Sequence, residues 1–305
     1  MTFITADHTG DGLLSGFGSV CLGTDWTDMD SELPRLRQLI EERRPSLLLI
    51  DSYRVTEGYF RELRPLVPLA YMDDLNQARW DTDCLINYNI IASVFDYSAY
   101  DAGETRLLLG PEYAPLRDEF QHLPPPFVRD GAAEVLVSAG GADPEGITEK
   151  LIRETCPRHP ALRFHFIVGA LNPRLKEIQA LAGERVVLHI RENRMAELMR
   201  SCDIAVSAAG TTLYELCACG VPTIVYSMAD NQVLPAEEFA RRGIMLSAGD
   251  CREDAGFTDR VDSQLRALTA ETELRRELSR RMRDLVDGNG AARIARALKR
   301  VSSIP

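Results

Sequence analysis

The chain has 305 residues, 45% of them hydrophobic, a length at which a single core usually stops growing; two domains of about 100–200 residues each are expected. Its 35 basic residues against 46 acidic ones give a net charge of −11, which argues against nucleic acid or an anionic membrane surface as the main partner. An anionic ligand would have to be held locally, by backbone N–H groups or a few chosen side chains.

The cysteines Cys21, Cys84, Cys156, Cys202, Cys217, Cys219 and Cys251 are odd in number and scattered. The nearest pair, Cys217 and Cys219, diverges on a helix, so the seven read as small buried hydrophobes of a reducing compartment rather than disulfides or metal ligands. No apolar run reaches the ~20 residues needed to cross a bilayer. The N-terminus lacks the basic-then-apolar order of a signal peptide. A cytoplasmic protein with no membrane partner is expected.

Thr2-Phe-Ile-Thr-Ala6 opens the chain as a buried strand, and Gly18-Ser-Val-Cys-Leu22 is a second short strand candidate. From Glu32 to Arg43 the residues Leu33, Leu36, Leu39 and Ile40 fall at helical spacing, and Arg43-Arg44-Pro45 ends the segment. Leu47-Leu-Leu-Ile-Asp51 follows, an uninterrupted apolar run that predicts a central parallel strand sheltered on both faces. Asp51-Ser-Tyr53 sits at its carboxyl end, the edge where open α/β sheets place ligands. A helix over 56–64 leads to Val67-Pro-Leu-Ala-Tyr-Met72 and then Asp73-Asp74. After Leu85-Ile-Asn-Tyr-Asn89 and Arg106-Leu-Leu-Leu-Gly110 the alternation fades, and the prolines at 124, 125 and 126 stiffen the chain. The domain boundary is placed there, dividing the chain into 1–125 and 126–305.

Alternation restarts with Glu134-Val-Leu-Val-Ser138, a Gly140-Gly141 turn and a helix from about Asp143. Further strands are expected at Phe164–Val168, Arg185–His189, Asp203–Ser207 and Pro222–Tyr226, each separated by a helix-like stretch. The tail from about Thr258 is charged and helical, with Leu274, Leu278, Met282 and Leu285 on one face. The fold class expected is therefore α/β, with two doubly wound parallel-sheet domains.

The segment from Ser207 to Gln232 carries the most chemistry. Gly210-Thr211-Thr212 ends a strand and opens a helix whose free N–H groups could hold a diphosphate. Glu215 lies about one turn in, where its carboxylate could take both hydroxyls of a ribose. Equally, Thr211 or Thr212 could simply cap the helix and Glu215 be a solvated first-turn acid. Asn231 and Gln232 follow the next strand, where adjacent amides can meet sugar hydroxyls, or Asp230 or Asn231 can act as a helix cap. Asp73-Asp74 reads as a loop with one cap rather than an acid–base pair. The five histidines form no metal-ligand spacing, His165 and His189 read as satisfied residues on strands, and no Ser-His-Asp order, Walker sequence or zinc signature is present. No cofactor or metal is expected, and no motif encodes an oligomeric state.

Taken in order, Ile50-Asp-Ser-Tyr53, Met72-Asp-Asp-Leu75, Ile86-Asn-Tyr-Asn89, Gly110-Pro-Glu-Tyr-Ala-Pro-Leu-Arg-Asp-Glu-Phe120, Gly140-Gly-Ala-Asp143, Asn193–Met199, Ala209-Gly-Thr-Thr212, Asp230-Asn-Gln232 and Val286-Asp-Gly288 resemble the UDP-2,4-diacetamido-2,4,6-trideoxy-β-L-altropyranose hydrolases of pseudaminic acid biosynthesis. That family is similar in fold to the two-domain B-type glycosyltransferases, including the N-acetylglucosaminyltransferase of peptidoglycan synthesis. The resemblance implies hydrolysis of a UDP-sugar at the anomeric carbon in an interdomain cleft, with UDP on the second domain. It places Gly141 among the substrate-binding residues, Gly210, Thr211 and Thr212 at the diphosphate, Glu215 at the ribose, and Asn231 and Gln232 at the sugar. Tyr53, in the family's Asp-x-Tyr stretch, would line the catalytic side.

The chain departs from the family in one respect. Family members open with a Gly-x-Gly-His-x-x-Arg loop whose histidine is the proposed base, and the nearest fragment here, Gly16-Phe-Gly18, is followed by Ser19 and lies after the first strand instead of before it. The expectation is a first domain lacking its first strand and helix, a chain that starts at the family's second strand, and impaired hydrolysis. A glycosyltransferase using a UDP-sugar donor and a non-catalytic UDP-sugar-binding protein are the alternatives.

Overall fold

The computed structural model describes all residues except 13, 101–102, 171, 253–255 and 303–305. The chain forms two compact units. The first comprises Met1–Tyr88, Ala92–Leu109 and the residues from Ala292 onward; the second comprises Asn89–Ile91 and Gly110–Ala291.

In the first unit β1 (Thr2–Thr5) and β2 (Gly18–Cys21) pair in parallel as a sheet of their own. A second parallel sheet runs in the order β3 (Leu48–Ile50), β4 (Leu69–Met72), β5 (Cys84–Asn87), β6 (Arg106–Leu109). Two expectations are corrected here. β1 is half-exposed rather than buried, because among the described residues its sheet has two strands, β1 and β2. β3 is an edge strand rather than a central one: among the described residues it pairs only with β4, and Leu49 in its middle remains 45% exposed. An apolar run of three or four residues does not tell an edge from a centre.

Helix α1 (Leu33–Arg43) and helix α2 (Glu57–Leu63) lie before and after β3. The α2 N-terminus is fixed by Thr56, whose hydroxyl accepts the Tyr59 N–H at 3.0 Å, so local sequence sets where this helix begins. α1 and α2 deliver Leu36, Ile40, Tyr59, Phe60 and Leu63 to a core shared with Ile50, Leu69, Tyr71 and Leu85. Phe60, Tyr71 and Trp80 pack ring against ring, with centroids 5.2–5.5 Å apart.

The second unit is one parallel sheet of six strands: β7 (Glu134–Ser138), β8 (Arg163–Val168), β9 (Val186–Ile190), β10 (Ile204–Ala208), β11 (Thr223–Ser227) and β12 (Leu246–Asp250). Their order is β12-β11-β10-β7-β8-β9. The chain steps outward from β7 to β9, then returns to the other side of β7, so the winding direction reverses between β7 and β10. In doubly wound sheets ligands bind at that point, outside the strands' carboxyl ends. β10 and β11 are buried at every position, as strands covered on both faces must be. β12 is not anticipated by the sequence: Ser247, Ala248 and Gly249 are too small to give an apolar signal, and Gly249 adopts φ +76°.

The helices of this unit are α3 (Ile147–Glu154), α4 (Leu175–Gln179), α5 (Met195–Ser201), α6 (Thr212–Cys219), α7 (Asp230–Arg241), α8 (Phe257–Ala270) and α9 (Thr272–Leu285), followed by α10 (Gly290–Val301). The seven cysteines are all free and all but Cys21 are buried. Burial pushes the Cys84 and Cys251 thiols up to about 11 and those of Cys156, Cys202 and Cys219 up to about 12, so they stay protonated and apolar.

Candidate functional site

Parallel register makes β7, β10 and β11 end level. Ser207 lies opposite Ser138 on β7, and Ala208 lies opposite Tyr226 on β11. The segments 139–143, 209–212 and 228–232 therefore leave the sheet side by side, about 4.8 Å per strand apart, at the reversal of winding. Gly141, Gly210, Thr211, Thr212, Asn231 and Gln232 all lie on these three segments.

Both Gly141 and Gly210 face open space: a Cβ built on either would meet no atom within 4 Å. Neither needs to be glycine for packing, and Gly210 has no left-handed backbone to satisfy. Glycine at such positions leaves the backbone accessible to a ligand. The opposite holds at Gly169, after β8, where a Cβ would run into the Gly141 carbonyl. Gly169 thus lets one loop pack directly on its neighbour; the sequence reading missed it because one glycine after a strand looks like any turn.

Helix α6 begins at Thr212, and Thr211 before it has helical backbone and makes no side-chain cap. The capping alternative for Thr211 is therefore not what the structure shows. Among the described residues no acceptor is found for the Thr211 and Thr212 N–H groups, while Leu213 and Tyr214 bond back to Gly210 and Thr211 at 3.1 and 3.0 Å. Those open donors sit at the positive end of an eight-residue helix. Its other end is closed by Gly220 at φ +68°, with the Gly220 and Val221 N–H groups bonded to Cys217 and Leu216.

Glu215 is not a solvated acid. Its side chain is 19% exposed and receives Arg117 at 3.3 Å. Burial pushes its carboxyl upward, and Arg117 opposes that shift. Sequence reasoning missed Arg117, whose position about a hundred residues upstream gives no local sign of the contact.

The two amides differ. Asn231 is exposed, whereas the Gln232 side-chain oxygen accepts the Met228 N–H at 3.1 Å, which closes the start of α7. Asp230 pairs with Arg252 at 2.8 Å instead of capping the helix. Asp143 is structural: it is 1% exposed, and its two carboxylate oxygens accept the Ile147 and Thr148 N–H groups at 2.8 and 3.0 Å. It anchors the turn that carries Gly141.

Tyr53 belongs to the first unit, beyond β3, and is 64% exposed. Partial burial raises the phenol's pKa, and its hydroxyl's donation to Asp74 at 2.9 Å adds to the rise, so Tyr53 remains a neutral donor. The adjacent acids divide the work. Asp73 is buried and satisfied by Leu75 N–H, Asn76 N–H and the Trp80 indole, whereas Asp74 holds Tyr53 with one oxygen and has its other oxygen buried without a partner among the described residues. The loop-and-cap reading thus describes Asp73 and not Asp74.

His165 and His189 are hydrogen-bonded to each other at 2.9 Å, and His165 reaches Glu134 at 2.7 Å. Among the described residues no group of three or more His, Cys, Asp or Glu is placed to hold a metal ion, and no helix is long and apolar enough to cross a membrane.

No family model matches the chain. In sequence it is similar to the spore coat polysaccharide biosynthesis protein SpsG of Bacillus subtilis, 26% identical over 94% of this chain and 91% of that protein. It is also similar to the pseudaminic acid cytidylyltransferase and UDP-2,4-diacetamido-2,4,6-trideoxy-β-L-altropyranose hydrolase of Helicobacter pylori, 23% identical over 68% of this chain but only 34% of that longer protein. Among solved structures, MurG of Acinetobacter baumannii matches with a TM-score of 0.68 at 12% identity, over 98% of this chain and 90% of that one. The Streptomyces glycosyltransferase SsfS6, solved with thymidine diphosphate, matches with a TM-score of 0.59 at 13% identity, over 97% and 91%. The chain has the α/β fold of the two-domain glycosyltransferases and sequence similarity to proteins of sugar biosynthesis.

Proposed function

We propose that the chain binds a UDP-activated di-acetamido-trideoxy sugar and belongs to nonulosonic acid biosynthesis as its hydrolase. The observation that carries this reading is the set of open α6 N–H groups at the winding reversal, with Glu215 one turn in. Gly141 and Gly210 let the diphosphate approach the backbone, Thr211 and Thr212 donate to it, and Glu215 accepts the ribose hydroxyls. Asn231 and Gln232 take sugar substituents, and Tyr53, a neutral phenol held by Asp74, is assigned to the catalytic side. A site built from N–H donors suits a chain of net charge −11, which has no basic field to offer an anion.

In the hydrolysis, water oxygen bonds to the anomeric carbon as the bond from that carbon to the β-phosphate oxygen breaks; UDP leaves and the water's proton passes to a base. The glycosyltransferase reading draws on the fold of MurG and SsfS6, with an acceptor hydroxyl in place of water. Chromatography of UDP released from a UDP-sugar separates these: release in water alone supports hydrolysis, release only with an acceptor supports transfer, and binding with neither supports a non-catalytic role.

A further inference from the structure

Arg117 is held in place from several sides. Its Nη1 lies 3.0 Å from Glu119, its guanidinium sits over the Phe120 ring at 5.5 Å, and its Nη2 reaches Glu215 at 3.3 Å. Glu119 in turn accepts the Ala196 N–H at 3.0 Å at the start of α5. The charged and titratable groups around Glu215 are Arg117 and Glu119 from the 117–120 segment and Cys219 one turn along α6, with Arg200 of α5 and Arg283 of α9 beside Cys219. A half-buried carboxylate with one fixed cation is a pure acceptor; protonated, it would lose part of that capacity.

On the reading of α6 as a nucleotide site, we propose that Arg117 is a positioning residue that keeps Glu215 an oriented carboxylate, so that the site selects ribonucleotides over 2′-deoxyribonucleotides. A ligand without the 2′-hydroxyl leaves Glu215 short of a donor in a place water reaches poorly, and the missing charged hydrogen bond is worth about tenfold or more in affinity. Burial pushes the Glu215 carboxyl up and Arg117 pulls it back, so without Arg117 ionisation moves to higher pH.

The test titrates the full chain calorimetrically with UDP and 2′-deoxy-UDP from pH 6 to pH 9, as wild type, Arg117→Gln and Arg117→Lys. The expected wild-type preference for UDP is about tenfold or more and level across this range. In Arg117→Gln it falls, most at the acid end of the range, and recovers as the pH rises; in Arg117→Lys, which keeps the charge without the fork, it is intermediate. A preference in Arg117→Gln equal to wild type, or lowered by the same factor at every pH, overturns the proposal. Should the Gln variant fail to fold by circular dichroism, an unchanged preference in the Lys variant does the same. Wild-type protein that binds UDP without preferring it overturns this inference alone, and wild-type protein that binds neither nucleotide overturns the nucleotide reading on which it rests.

Discussion

Gly210 separates what the fold needs from what a ligand needs. Its backbone is ordinary and the space above it is empty, so Gly210→Ala should shift the thermal midpoint by no more than about 2 °C, since a tolerated surface change stays within roughly 0.5 kcal/mol. The same methyl stands where a phosphate would meet the Thr211 and Thr212 N–H groups, and UDP affinity should drop about tenfold. An intact affinity in a folded variant would remove the phosphate from this turn. Glu32 makes a second residue-level case. It is 7% exposed, and burial raises its carboxyl although the Tyr59 hydroxyl donates to it at 2.6 Å. A carboxyl raised on folding binds its proton more tightly in the native state, so its contribution to stability falls as pH climbs from the ordinary carboxylate value through the raised one. Glu32→Gln removes that loss. Urea unfolding should find the variant gaining on wild type between pH 4 and pH 7; an equal difference at both would contradict the assignment.

At the level of elements, the joints between helices rest on buried polar groups with no sequence periodicity. Arg275 in α9 is fully buried and spends its guanidinium on carbonyls: Leu268 and Thr269 at the end of α8, and Arg129 and Asp130 ahead of β7, the last two at 2.7 and 3.0 Å. These are orphan carbonyls of a helix terminus and a linker, and charged donors to them are worth more than neutral ones. Arg275→Ala should cost on the order of 3 kcal/mol in denaturant unfolding, whereas a loss under about 1 kcal/mol would mean that water replaces the side chain. This staple was illegible in the sequence, where Arg275 is one of many charges in a helical tail. The strands were largely legible because β7, β10 and β11 are buried on both faces and so must be continuous apolar runs. β12 was not, since edge position lets small residues serve, and β3 was misread as central because its sequence records apolar character but not its number of neighbours.

For the molecule as a whole, the candidate site is a consequence of topology. Reversal of winding between β7 and β10 brings together Gly141 and Gly210, which are 69 positions apart by their numbers, and level strand ends add Asn231 and Gln232. The order of motifs carried this far because most of the motifs mark a strand end. What order could not show is contact across the chain, such as Arg117 on Glu215, Tyr53 on Asp74 or Gly169 against Gly141, since those depend on distances that only the folded backbone sets. If the open end of α6 holds the diphosphate of UDP, calorimetric titration of the wild-type chain with UDP and with uridine will tell the two ligands apart. Saturable one-to-one binding of UDP, lost for uridine and weakened by Gly210→Ala, is the predicted result; no binding of UDP, or equal binding of uridine, would contradict it.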